Sequence, residues 1–282
     1  MPRARKNDRS GLVFAIVGCA AIFGPFLYFA WPRGDAASED DATAEAAKPD
    51  AGSNEQPPAV VDRDRATLFQ PVLVWSDDSV TVQGTGFVVQ HDGRSFGITS
   101  SHFIAPSPTP LARVALGSIP ALEKLTTTPH AWGPMGPAAG ESADDFRDDY
   151  LVMPIEGVKL QSLELDLRDM PEVGEEIWFP DKSDEVDHGH VVREGRVTRA
   201  TLGVVEVALD DPIELESQSG TPVLSARTNR VLGILGGADS EEGKRLFFTP
   251  VSVLRSVLED DGREETELLL ALPKWSRAAA EP

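Results

Sequence analysis

Residues 84–102 read GTGFVVQHDGRSFGITSSH. Two short apolar runs, 86–90 and 96–99, flank the tip His91-Asp92-Gly93-Arg94. A glycine at such a tip accepts the positive φ that a tight hairpin turn requires. The second run ends in Thr99-Ser100-Ser101 and then His102. The stretch therefore reads as a β-hairpin whose second strand delivers a histidine to a loop.

The same texture continues from about Val61 onward. Runs rich in Val, Ile, Leu and Phe recur at 71–75, 176–179, 190–197, 204–209 and 231–235, separated by Gly, Pro, Asp and Asn. Many are β-branched, and short strands at this spacing predict an all-β barrel or sandwich. One segment differs. PVSVLRSVL, residues 250–258, has apolar residues at helical spacing, and Pro250 suits a first helical turn. A second short helix is expected within 263–282, in an otherwise polar tail.

The N-terminus is of another kind. Residues 1–10 carry Arg3, Arg5, Lys6 and Arg9 against Asp8, and residues 11–31 are apolar throughout. Twenty-one residues at helical rise span about 31 Å, close to the hydrocarbon thickness of a bilayer. Tyr28 and Trp31 lie at the far end, where amphipathic rings favour the interface. A cleaved signal peptide would have a shorter apolar core. A lipidation box could be read at Ile16–Cys19, but twelve more apolar residues follow it. The pattern predicts a single uncleaved span in the cell membrane, with the basic end cytoplasmic and the rest outside. Residues 32–60, rich in Ala, Asp, Glu and Pro, cannot bury enough apolar surface to offset ordering entropy and predict a disordered tether.

Bulk composition sets limits. At 41% hydrophobic and 26% charged residues, a sizeable core is feasible. A formal charge of −20 repels phosphate backbones, so nucleic acid is not expected as a partner. The sole cysteine, Cys19, lies in the apolar span. The remainder thus has no disulfide, no thiolate nucleophile and no cysteine-bound zinc.

Three segments carry chemistry. The first ends in His102. The second is Asp148-Asp149-Tyr150-Leu151-Val152-Met153, an acid directly before an apolar strand, where burial can hold it against an imidazole. Asp148, Asp144 and Asp145 compete for that role, but Asp149 has the better register. The third is Ser217-Gln218-Ser219-Gly220-Thr221-Pro222, a serine in a tight turn. A serine hydroxyl is a poor nucleophile at neutral pH and needs a base within hydrogen-bond reach. Histidine can take the proton and return it to a leaving group. A carboxylate fixes the imidazole tautomer, and N–H groups beside the serine can hold an oxyanion.

These segments resemble the triad motifs of the trypsin/chymotrypsin-like serine protease superfamily. Thr99–His102 is similar to its T-A-A-H motif, Asp149–Met153 to its D-L-A-(V/L)-L strand, and Ser217–Pro222 to its G-x-S-G-G-P motif, in the family's order. Gly84–Phe87 and Phe247–Ser252 extend the likeness to about residues 61–260. The resemblance implies two orthogonal six-stranded antiparallel β-barrels, roughly 61–160 and 161–250, with the site between them, then a C-terminal tail from 261. It implies Ser219 as nucleophile, His102 as base, Asp149 as orienter, and the N–H groups of Ser219 and Ser217 as oxyanion hole. It implies a polypeptide substrate and no cofactor. By family position, Ile213 lies at the base of the primary pocket, with Phe248 and Gly236 beside it, which suits a small or apolar side chain.

The sequence departs from the motif twice. Ser217 stands where the family has a glycine in the oxyanion hole, and Thr221 replaces a second glycine. Both changes bear on turnover more than on fold. They favour a rival reading, in which the fold is kept as a binding or regulatory module with an idle triad. A third reading is an anchored structural domain whose motif matches are chance. An α/β-hydrolase needs G-x-S-x-G and strand–helix alternation, and both are missing. His188-Gly189-His190 lacks a nearby third ligand, and the acidic run from Glu141 to Asp149 lacks the spacing of a calcium loop, so no metal is expected.

Overall fold

The computed structural model describes residues 58–61, 67–102, 109–119, 124–128, 130–131, 146–181, 191–213, 218–238, 243–260 and 266–267. All lie within one compact unit, Asn54–Pro282. The expected span 11–31 and most of the tether fall outside the described residues. No helix among the described residues is long and apolar enough to cross a membrane.

The opening hairpin forms β3 (Gly86–His91) and β4 (Arg94–Thr99). Asp92 and Gly93 both have positive φ, 48° and 74°. Two such residues make a mirror-image turn, whose twist matches that of the strands it joins. Around the hairpin lie β1 (Leu68–Trp75), β2 (Val80–Val82), β5 (Leu111–Gly117), β6 (Lys124–Thr128), β8 (Leu151–Ile155) and β9 (Ser162–Leu163). Their sheet has eight strands, in the order β6-β5-β1-β3-β4-β8, with β2 on β1 and β9 on β3.

The second half is a closed barrel of six antiparallel strands. They are β10 (Glu176–Asp181), β11 (Val191–Ala200), β12 (Val205–Leu209), β13 (Pro222–Ser225), β14 (Val231–Ala238) and β15 (Arg245–Pro250). It closes in the order β10-β11-β12-β15-β14-β13. The helix α1 (Val251–Glu259) follows at once, with Pro250 as its N-cap residue.

The expected pair of equal barrels is thus corrected in its first member. Among the described residues, its end strands β6 and β8 approach each other but are not joined by a ladder. Its pairing is not wholly antiparallel either, since β9 runs parallel to β3. The tether also needs correction at its end. Ala59, expected in the tether, is buried. Its N–H donates to Thr228 O at 2.7 Å, and its carbonyl accepts from Asn229 Nδ2 at 3.3 Å. In the C-terminal tail, β16 (Thr266–Glu267) pairs with β7 (His130–Ala131) as a two-stranded ribbon; the rest of 263–282, where a short helix is expected, lies outside the described residues.

Three apolar clusters explain why several strands read as unbroken hydrophobic runs. Val88, Leu151, Met153 and Ile155 face the interior of the first sheet. Phe87, Val89, Phe96, Ile98 and Val152, from the same strands, face the other way. There they meet Trp178, Leu224, Val231 and Ile234 of the barrel and Leu254, Val257 and Leu258 of α1. The barrel interior is a third cluster, including Phe179, Val207, Leu232 and Phe248. A strand buried on both faces loses the alternation of a half-exposed one. Each fully buried Phe contributes on the order of 2–3 kcal/mol relative to exposure. The middle cluster therefore welds the two halves firmly, and the groups at their junction are held by rigid strands.

Candidate active site

His102 stands just beyond β4, at that junction. Its Nδ1 lies 2.8 Å from Asp149 Oδ2. An ionised carboxylate only accepts, so Nδ1 carries the hydrogen and Nε2 is left with its lone pair. The imidazole is 30% exposed, whereas the Asp149 side chain is 0% exposed, so the ring is reachable and its partner is not.

A buried carboxylate must be satisfied by hydrogen bonds or it costs several kcal/mol. Asp149 Oδ1 accepts the N–H groups of Ser101 and His102, each at 2.9 Å, and the Ser101 hydroxyl at 3.3 Å. Ser101 Oγ also reaches Asp148 O at 3.2 Å. The small residues before the histidine thus have a purpose: they turn the chain so that its amides face the acid. Asp148 itself is exposed. The acid's loop is pinned by the second barrel. Phe146 N–H donates to Gly203 O at 2.8 Å, and Thr249 Oγ1 donates to Phe146 O at 2.8 Å and to Asp149 O at 3.4 Å.

Ser219 occupies a β-turn. Thr221 N–H donates to Gln218 O at 3.0 Å, and Gly220 has φ +92°, the pattern of a type II turn with glycine at its third position. A Cβ at 220 would also stand 1.9 Å from Thr85 O, so only glycine fits. Thr221, which stands where the motif has its second glycine, is fully buried without positive φ.

Two straps tie this turn to the histidine strand. The carbonyl of Leu235 accepts both Ser100 Oγ, at 3.1 Å, and Gly220 N–H, at 2.8 Å. Thr85 donates its N–H to Ser219 O at 2.8 Å and accepts Thr99 Oγ1 at 2.6 Å. The chain before His102 and the turn at Ser219 are therefore anchored to the same two residues. Ser219 is half-buried, and among the described residues no hydrogen bond engages its hydroxyl or its N–H.

Ser217 lies outside the described residues, as do His188, His190, Glu141, Asp144 and Asp145. Gly236 faces Asp149: a Cβ there would stand 3.0 Å from Oδ2 and 2.6 Å from the Phe146 ring. Ile213 and Phe248 belong to the packed interior of the second barrel, with Phe248 fully buried. Among the described residues there is no group of three or more side chains able to hold a metal ion. Sequence reasoning missed Thr85, Ser100, Leu235 and Thr249. Their contributions run through backbone carbonyls and hydroxyls, which leave no motif of their own.

No family model matches the sequence, and no curated protein matches it. Solved structures do. The chain is similar to a mutant of the tobacco etch virus protease at 15% identity and a TM-score of 0.51, over 75% of this chain and 86% of that one. It is also similar to the active form of the Rv3671c protease from M. tuberculosis (15% identity, TM-score 0.49, 71% and 83% covered). A third neighbour is the serine endoprotease from Yersinia pestis (16% identity, TM-score 0.48, 71% and 65% covered). All three are proteases by name. This chain shares the fold of the tobacco etch virus protease.

Proposed function

We propose that this protein is a membrane-anchored serine endopeptidase acting on polypeptides outside the cytoplasm. The observation that supports it most is the buried Asp149 carboxylate on His102 Nδ1, beside a turn that presents Ser219. In this reading Ser219 Oγ attacks the scissile carbonyl carbon as its proton passes to His102 Nε2. The oxyanion is held by the N–H groups of Ser219 and Ser217. The C–N bond then breaks, the proton goes from His102 to the leaving amine, and Ser219 carries the acyl group. Water, deprotonated by the same imidazole, releases the acid. Asp149 stays ionised and steadies the imidazolium. No metal or organic cofactor enters. Residues 11–31 hold the domain at the cell membrane, and 32–57 let it stand off the surface.

The rival reading, an idle triad in a binding module, draws support from the Ser219 hydroxyl, which no described group engages. Catalytic hydrogen bonds are often long before substrate binds, so this does not weigh heavily. Incubating the full chain in detergent with an unfolded polypeptide separates the two. Cleavage that vanishes in Ser219→Ala supports the peptidase; an intact polypeptide over long incubation supports the module. Membrane fractionation of the full chain tests the anchor: recovery in the soluble fraction would overturn it.

A further inference from the structure

Gln218, the residue before the serine, is itself buried, as is Asp181 at the end of β10. Gln218 Nε2 donates to Asp181 Oδ1. Asp181 Oδ2 in turn accepts Arg193 Nε at 2.7 Å, across the β10–β11 ladder. Thr221 Oγ1 closes the set by donating to Gln218 Oε1 at 3.4 Å. In the register of that ladder, Phe179 lies opposite Arg193, and Asp181 is two residues further along the same face. Phe179 points into the barrel core. Asp181 is therefore an acid turned toward the barrel's interior at its rim.

An inward carboxylate is costly, and sheet stability alone does not call for one. What it does here is hold the amide of Gln218, one residue from Ser219 and three from Thr221. A charge-assisted bond is about twice as strong as a neutral one, and Arg193 holds the carboxylate aimed. The two straps at Thr85 and Leu235 fix the turn from the histidine side. The bonds described for these straps fall on Ser219 and Gly220, not on Gln218, the first residue of the turn. The Asp181 bond secures that end.

We infer that Arg193–Asp181–Gln218 is a positioning chain that fixes the start of the nucleophile turn, and with it the direction of the Ser219 hydroxyl and N–H. This rests on the peptidase reading. A misplacement of about 1 Å can cost a hundredfold in rate, so the chain acts on the chemical step more than on binding.

The test measures inactivation of the full chain by a fluorophosphonate, resolving kinact from KI, with the melting temperature alongside. Asp181→Ala and Gln218→Ala should each lower kinact by about 10- to 100-fold at nearly unchanged KI. Asp181→Asn, which keeps an acceptor for Gln218 but loses the charge, should recover part of it. Should Asp181→Ala not fold, Gln218→Ala carries the test, since it leaves the Asp181–Arg193 pair in place. A labelled parent with variants inactivated at the parental kinact overturns the positioning chain alone. A folded parent that takes no label overturns the peptidase reading and this inference with it.

Discussion

Asp149 grips His102 at two points: Oδ2 meets Nδ1 at 2.8 Å, and Oδ1 takes the His102 N–H at 2.9 Å. Ring and backbone are held by one buried group, so the imidazole has one orientation and one tautomer. Asp149→Asn separates these effects. Its oxygen can still accept the amides of Ser101 and His102, which turns its NH2 toward Nδ1 and forces the opposite tautomer. The fold should persist by circular dichroism, while fluorophosphonate labelling slows by about ten-thousand-fold, the size seen for this change in a studied serine protease.

The turn at Ser219 depends on its glycine. Gly220→Ala must accept φ +92° and place a Cβ against Thr85 O. Strain and clash together should cost on the order of 3–4 kcal/mol. Urea denaturation should show the midpoint falling accordingly, with labelling lost even where the protein is still folded.

Gly236 gives a subtler effect. A Cβ there would press on the Phe146 ring and on Asp149 Oδ2. Gly236→Ala should therefore push the 146–149 loop away from His102. Labelling should fall by about 10- to 100-fold with only a small drop in melting temperature.

Stability in acid should depend on an ion cluster away from the site. Arg168 donates to both oxygens of Asp166, at 2.9 Å, and to both of Glu175, at 2.8 Å. Burial alone would raise both carboxyls, but the bonds from Arg168 outweigh it and hold both below their ordinary values. A depressed carboxyl stabilises the fold above its unfolded pKa, about 4. That stability is lost as pH falls from there through the lowered folded values. Arg168→Met leaves two buried carboxylates without their cation and should cost about 3–5 kcal/mol at neutral pH. It also removes the largest of the bonds that lower them, so less stability is lost on their protonation, and the gap between parent and variant narrows as pH falls below about 4. Urea midpoints measured from pH 3 to 7 for parent and variant check both effects.

The sequence showed most where local chemistry decides structure. Asp92-Gly93 marked its hairpin because two positive φ values exclude most other pairs. The apolar runs marked strands, since β3, β4 and β8 are buried on both faces. Asp149 stood out from Asp148 by its register with the strand behind it. What stayed hidden depends on distant parts of the chain meeting. Nothing local says that Asp181 turns inward, because its partner Gln218 is far along the chain. The parallel strand β9 is too short to show a period. Ala59 is bound by the Thr228–Asn229 turn, a contact that the composition of an Ala- and Pro-rich tether does not encode. Ile213 and Phe248, placed by family position at a pocket, pack into a barrel interior that only the closed sheet defines.

Intact-mass measurement and peptide mapping of the full chain after treatment with a fluorophosphonate show whether Ser219 is a nucleophile. One adduct per chain is expected, on Ser219, absent in Ser219→Ala and nearly absent in His102→Ala. A folded chain that carries no adduct, or carries it on another residue, would contradict that role.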